Sequence, residues 1–115
     1  MSVIKDFKSM LTAGGVADAI YLAYDPSPDI DRYCVIYGTG GYDSILSVID
    51  QPTVQITIKS RDYEAGHRLA ADIRRILEAV DNETVDDNTY IAIYRQSDVL
   101  DIGYRDGRFG LTVNF

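Results

Sequence analysis

The sequence predicts an α+β domain: a mainly antiparallel sheet of about five or six strands with two helices packed on one face. Three observations carry that class. Residues 62–80 repeat apolar side chains at the helical period, and residues 52–59 and 108–115 alternate apolar with polar residues as strands do. The order of the segments is helix, two strands, a long connection, strand, helix and C-terminal strands, which is neither a regular βαβ alternation nor an all-β series.

The first helix opens after Ser2, a good cap, with Val3, Ile4, Phe7, Met10 and Leu11 on one stripe and Lys5, Asp6 and Lys8 off it. Gly14 and Gly15 end it. Residues 17–24 alternate Ile20, Leu22 and Tyr24 against Ala19, Tyr21 and Ala23, and 32–37 has the same β-type composition beyond a Pro- and Asp-rich turn. Residues 38–50 (GTGGYDSILSVID) begin Gly-rich and end apolar, too short a run to separate helix from strand, and are treated as a connection. After Pro52, Val54, Ile56 and Ile58 point one way and Thr53, Gln55, Thr57 and Lys59 the other. The long helix follows, with Tyr63, Gly66, Leu69, Ala70, Ile73, Ile76, Leu77 and Val80 on its stripe, Asp62 as cap and Glu64–Arg68 as a favourable i, i+4 pair. Residues 82–88 read as a polar loop. A three-strand meander over 89–95, 99–104 and 108–115 closes the chain, its last two strands joined at Asp106-Gly107.

At 115 residues the chain makes one domain over 1–115, long enough to bury about two-thirds of its unfolded surface. With 11 Lys and Arg against 18 Asp and Glu, the net charge of −7 disfavours general nucleic-acid binding, which needs clustered cations. Cys34 is the single cysteine, so no internal disulfide can form, and the composition fits a reducing compartment. The N-terminus is charged from Lys5 and lacks the apolar run of a secretory signal, and no apolar stretch is long enough for a membrane helix.

Catalytic and ligand-binding patterns are weak. His67 is the one histidine, so zinc-type His pairs are excluded, and its default role is a solvated surface residue. Cys34, between Tyr33 and Val35, reads as a small buried hydrophobe. The acids of DPSPDID (25–31) and Asp86-Asp87 lack the spacing of a calcium loop and read as solvated turns. Gly38-Thr-Gly-Gly-Tyr42 lacks the Lys-Ser/Thr of a phosphate cradle. No enzyme, cofactor or metal site is therefore expected. The nine tyrosines carry more information. Tyr90, Ala92 and Tyr94 share one strand face opposite Ile91 and Ile93, and Tyr21 opposes Ile20 and Leu22, so both sheet faces have apolar character, as a surface that meets another chain would.

The segment PTVQITIKSRDYEAG (52–66), a Gln-bearing strand, an Arg-Asp-Tyr turn and an amphipathic helix, resembles the central signature of the minor capsid and tail terminator proteins of long-tailed bacteriophages. GRFGLTVNF (107–115) is similar to that family's closing strand. The resemblance implies a structural virion protein of the neck, assembled in the host cytoplasm: a ring, expected to be a hexamer, that caps the tail tube and meets the head-tail connector protein. Its partners would be itself, the tail tube protein and the connector, with no membrane and with DNA only passing through the lumen. An acidic lumen would favour sliding by repelling phosphate. On this view Gln55, Thr57, Lys59, Arg61 and Asp62, with Tyr90 and Tyr94, are candidates for subunit contact. Gly38, Gly40, Gly41, Tyr42, Asp43, Ile45 and Leu46 form the candidate docking loop, ordering on assembly. A head-side adaptor or stopper, or a small-molecule-binding α+β domain, are the alternatives.

Overall fold

In the computed structural model, which describes residues 3–26, 28–39, 42–45, 49–85, 88–105 and 107–115, the apolar alternation of three neighbouring strands sets the architecture. Along the chain run α1 (Val3–Ala13), β1 (Ala19–Leu22), β2 (Arg32–Gly38), β3 (Tyr42–Ile45), β4 (Ile49–Gln51), β5 (Val54–Ser60), α2 (Tyr63–Glu78), β6 (Asp81–Val85), β7 (Asn88–Ala92), β8 (Leu100–Arg105) and β9 (Arg108–Asn114). Five strands form one sheet in the order β1-β2-β5-β9-β8. Its register aligns Cys34 with Ile58 and Leu111, and Ile36 with Ile56 and Val113, so these six side chains pave one face. Both helices cover that face, joining Phe7, Met10, Leu11, Leu69, Ala70, Ile73 and Leu77 to the same core. Full burial of Leu69, Ile73 and Leu77 contributes about 1.5–3 kcal/mol each.

The sheet is mainly antiparallel, as expected, but it is mixed: β1 pairs with β2 in parallel, Ala19 opposite Tyr33 and Leu22 opposite Ile36. A parallel return needs chain enough to run back along the strand. Residues 23–26 and 28–31 run along the helix-free face, and polar contacts described below hold them there.

α1 ends in a Schellman turn: Gly15 takes φ +105°, Val16 N–H donates to the Leu11 carbonyl at 3.0 Å and Gly15 N–H to the Thr12 carbonyl at 3.2 Å. At the start of α2, Asp62 holds the cap position with extended backbone, but its side chain caps nothing; Ser60 Oγ accepts its N–H at 3.2 Å. Arg68 lies 3.9 Å from that Asp62 carboxylate, and among the described residues this, not Glu64, is its ion-pair partner.

Three further expectations are corrected. Residues 82–88 are not simply a polar loop, because β6 and β7 form an antiparallel hairpin with Glu83 opposite Tyr90. β7 therefore belongs to that hairpin and not to a three-strand meander. Its ladder partner is β6, and β8 pairs with β9 alone among the described strands. Within 38–50, β3 and β4 pair antiparallel, with Tyr42 opposite Gln51 and Ile45 opposite Ile49. Finally, Asp6 is fully buried, not on the wet side of α1. The proposed cap Ser2, the acids Asp86 and Asp87 and the turn residue Asp106 lie outside the described residues.

Candidate functional site

Because Val54, Ile56 and Ile58 turn into the core, the pleat sends Gln55, Thr57 and Lys59 to the helix-free face together, as the alternation predicted. There they stand beside Thr112 and Asn114 of β9 and Tyr33, Val35 and Tyr37 of β2. The polar groups satisfy one another. Gln55 Nε2 donates to Thr112 Oγ1 at 3.1 Å, and the Thr57 and Thr112 hydroxyls are bonded at 3.1 Å. Thr57 is buried, whereas Gln55 and Lys59 are half-buried and remain open to a neighbour. Tyr21 packs edge-on against Tyr33 on this face, with centroids 5.8 Å apart, so its aromatic character comes from Tyr21, Tyr33 and Tyr37. Burial, with the Asp25 charge second, raises the Tyr37 phenol above its ordinary range.

Arg61, just past β5, turns back to the loop 23–31. Its guanidinium meets Asp29 at 2.6 Å and Asp31 at 3.0 Å, and its N–H donates to the Asp31 carbonyl at 2.9 Å. Its hydrogen bond, reinforced by its charge, holds the Asp29 carboxyl below the usual carboxylate range. Arg108 donates to the carbonyls of Pro28 and Ile30 and lies over the Tyr33 ring, 5.3 Å from its centroid. Tyr33 donates to Asp25 at 2.8 Å, and Arg32 pairs with Asp18 at 2.9 Å. Of the turn acids, Asp29 and Asp31 are thus paired with Arg61 and Asp25 accepts from Tyr33, and no group of three His, Cys, Asp or Glu among the described residues is arranged to hold a metal. Asp62 is exposed beside Arg68.

Tyr90 and Tyr94 do not share a surface. Tyr90 turns inward: its hydroxyl donates to buried Asp6 at 2.6 Å, joined there by Asn88 Nδ2 at 2.7 Å. Burial first, and the Asp6 carboxylate second, push its phenol upward. Tyr94 lies beyond the end of β7 and is 79% exposed. The chain after β7 is irregular, pinned by Arg95 to Glu78 at 3.5 Å and Asp98 at 3.3 Å. Of the candidate docking residues, Gly38 ends β2, and Tyr42, Asp43 and Ile45 belong to β3. Gly40, Gly41 and Leu46 lie outside the described residues.

His67 is half-buried, not freely solvated. Its Nε2 is 3.5 Å from Asp101 on β8, and its ring lies tilted against Tyr63, 4.5 Å between centroids. Tyr63 donates to the same Asp101 at 2.9 Å, a bond that raises its phenol. Cys34 is fully buried, which pushes its thiol up to about 12 and leaves it unreactive at neutral pH. The groove of about 570 Å³ between α1, α2 and β6 is lined by Met10, Ala13, Ile76, Val80 and Val85, with Glu83 its one charged residue.

One surface escaped the sequence reading. β8 is an edge strand on which Leu100 and Ile102, 46% and 53% exposed, share the helix-free face across a bulge, while Tyr104, 63% exposed, lies on the helix side against Phe109. The signal was present as the apolar spacing of 100 and 102. A family model described as "Bacteriophage tail terminator protein" matches residues 9–115. No curated protein matches the sequence.

Proposed function

The chain belongs to the bacteriophage tail terminator family, and we propose that several copies close into a ring, a hexamer, that caps the tail tube and forms its joint with the head. Membership makes it a virion component that associates with other tail proteins. The family match across nearly the whole chain carries this reading, and the exposed Leu100 and Ile102, side by side on one face of the edge strand β8, support it. On this reading the subunits assemble in the host cytoplasm, the tube protein and the head-tail connector protein are the neighbours, and no chemistry is performed.

Gln55 and Lys59, held in place by the buried Thr57 beside them, the Arg61-Asp62 turn and Tyr94 are then contact residues between subunits, with Arg61 acting through the loop it holds. Tyr90 supports the fold from inside. The β3–β4 hairpin, with Gly38, Tyr42, Asp43 and Ile45, is the element that docks on the tube or the connector. The excess of acids, which gives the chain a charge of −7, suits a lumen through which DNA slides without binding.

Electron microscopy of virions labelled with an antibody to this chain tests the placement, and native mass spectrometry of detached tails tests the ring. Label at the head-tail junction and a six-copy mass are expected. Label elsewhere in the virion, or none, overturns the placement; a single copy per tail overturns the ring.

A further inference from the structure

The main sheet has two open edges. Among the described residues β1 pairs only with β2 and β8 only with β9, and no other backbone bond reaches their outer sides. Exposed edges are normally blunted by Lys, Pro or covering chain. β1 is Ala-Ile-Tyr-Leu, with no charge and no proline. β8 has neither Lys nor Pro; of its two charged residues, Asp101 is taken up by Tyr63 and His67 on the helix side and Arg105 stands at its last position, beyond Leu100 and Ile102.

The two edges also have complementary direction and faces. β2 runs antiparallel to β5, β5 to β9 and β9 to β8, while β1 runs parallel to β2, so β1 and β8 point in opposite directions. Copies laid side by side in one orientation bring β8 of one against β1 of the next as an antiparallel pair. Register places Ala19 and Tyr21 on the helix-free face at one edge and Leu100 on the same face at the other. A bulge between Asp101 and Gly103 keeps Ile102 on that face too, leaning over Gly110, where an added Cβ would lie 2.6 Å from it. The half-buried Tyr21 ring would thus meet Leu100 and Ile102. A ring is built from a head-to-tail contact between two different surfaces, whereas β8 against β8 would close at a dimer.

We propose that neighbouring copies join edge to edge, β8 of one pairing antiparallel with β1 of the next to continue the sheet around the ring. The proposal rests on the ring reading and adds its joint.

The test is cysteine cross-linking of the full-length chain in tails assembled from two single variants, Y21C mixed with L100C, with A19C and I102C as a second pair that an antiparallel register brings together at the same time. Antiparallel neighbours fall within disulfide reach, and native Cys34 is buried and stays out of the exchange. The expected result is a disulfide dimer only when both variants are present. Loss of ring assembly by folded I102K or L100K, with unchanged circular dichroism, is expected as well. Dimers from I102C alone mean that like edges meet and overturn the proposal. Rings that keep their mass with I102K and give no mixed cross-link overturn the joint but leave the ring standing. Tails holding one copy overturn both.

Discussion

Replacing Gly66 with alanine sets two known effects against each other. Gly66 sits inside α2, where alanine is favoured by about 1 kcal/mol because it restricts the unfolded backbone and suits the helix. The same position is where α2 comes closest to the sheet. A Cβ there would stand 3.0 Å from Leu111 Cδ1 and 3.2 Å from Ser60 Cβ, inside the optimal carbon separation of about 3.5–4.0 Å. Leu111 and Ser60 are buried, and Ser60 Cβ is fixed to the backbone of β5, so neither can give way. Relief requires α2 to lift from β5 and β9, loosening Leu69 and Ile73 as well. Overpacking of this kind costs about 1–3 kcal/mol. Since both nearest atoms are in closed packing, the steric cost lies in the upper part of that range, about 2–3 kcal/mol, and after the helix gain of about 1 kcal/mol we expect a net loss of about 1–2 kcal/mol, or roughly 4–8 °C in Tm for a domain of this size. Urea unfolding followed by circular dichroism measures it. Ala71→Gly, at an exposed site of the same helix, isolates the propensity effect at about 1 kcal/mol. A Leu111→Val background should recover part of the Gly66→Ala loss, because the two sites share one gap. A Gly66→Ala chain as stable as the parent, or more so, refutes this close approach.

Tyr90→Phe removes a donor from the buried Asp6 carboxylate and should cost about 1.5–3 kcal/mol by urea unfolding, whereas Tyr94→Phe at an exposed ring should change stability by less than about 0.5 kcal/mol. Equal effects would refute the inward placement of Tyr90. Asp29 has its folded-state pKa lowered by Arg61, so the pair's contribution is present above the unfolded carboxylate range and lost as pH falls through the lower folded value. The Tm difference between the parent and Asp29→Asn should therefore be small, constant near neutral pH, and vanish in acid. A difference that grows toward low pH refutes the assignment.

The sequence showed most clearly those elements whose partner is solvent on one side and the core on the other. The stripe of α2 and the alternation of β5 predict burial of Leu69, Ile73, Ile56 and Ile58 correctly, since period alone decides which side faces inward. The α+β class and a five-stranded sheet under two helices follow from those faces. What period cannot show is which strand neighbours which. β7 has the composition of a sheet strand, yet it pairs with β6, whose own residues, Asp-Asn-Glu-Thr-Val, look like a loop; a strand exposed along its length loses the apolar signal. Asp6 failed for a different reason. A buried carboxylate is tolerated only because Tyr90 and Asn88 reach it from more than eighty residues away in sequence, and no local pattern announces such partners. Arg61 is similar: its turn was recognised, but its acids, Asp29 and Asp31, are supplied by a distant loop.

That loop also decides what the two edges of the sheet can do. In a five-stranded sheet with every pair antiparallel, the first and last strands run the same way, and copies set side by side would offer each other parallel edges, the less stable pairing. One parallel pair reverses the outcome. Here the reversal is made by β1 and β2, and the chain between them is held across the helix-free face by Arg61, Arg108 and the Tyr33 hydroxyl. The Arg61–Asp29–Asp31 cluster, which as an exposed ion pair adds little to stability, thus has its consequence in topology. It helps to seat the crossover that turns β1 against the direction of β8, which is the geometry that lets one sheet continue into the next.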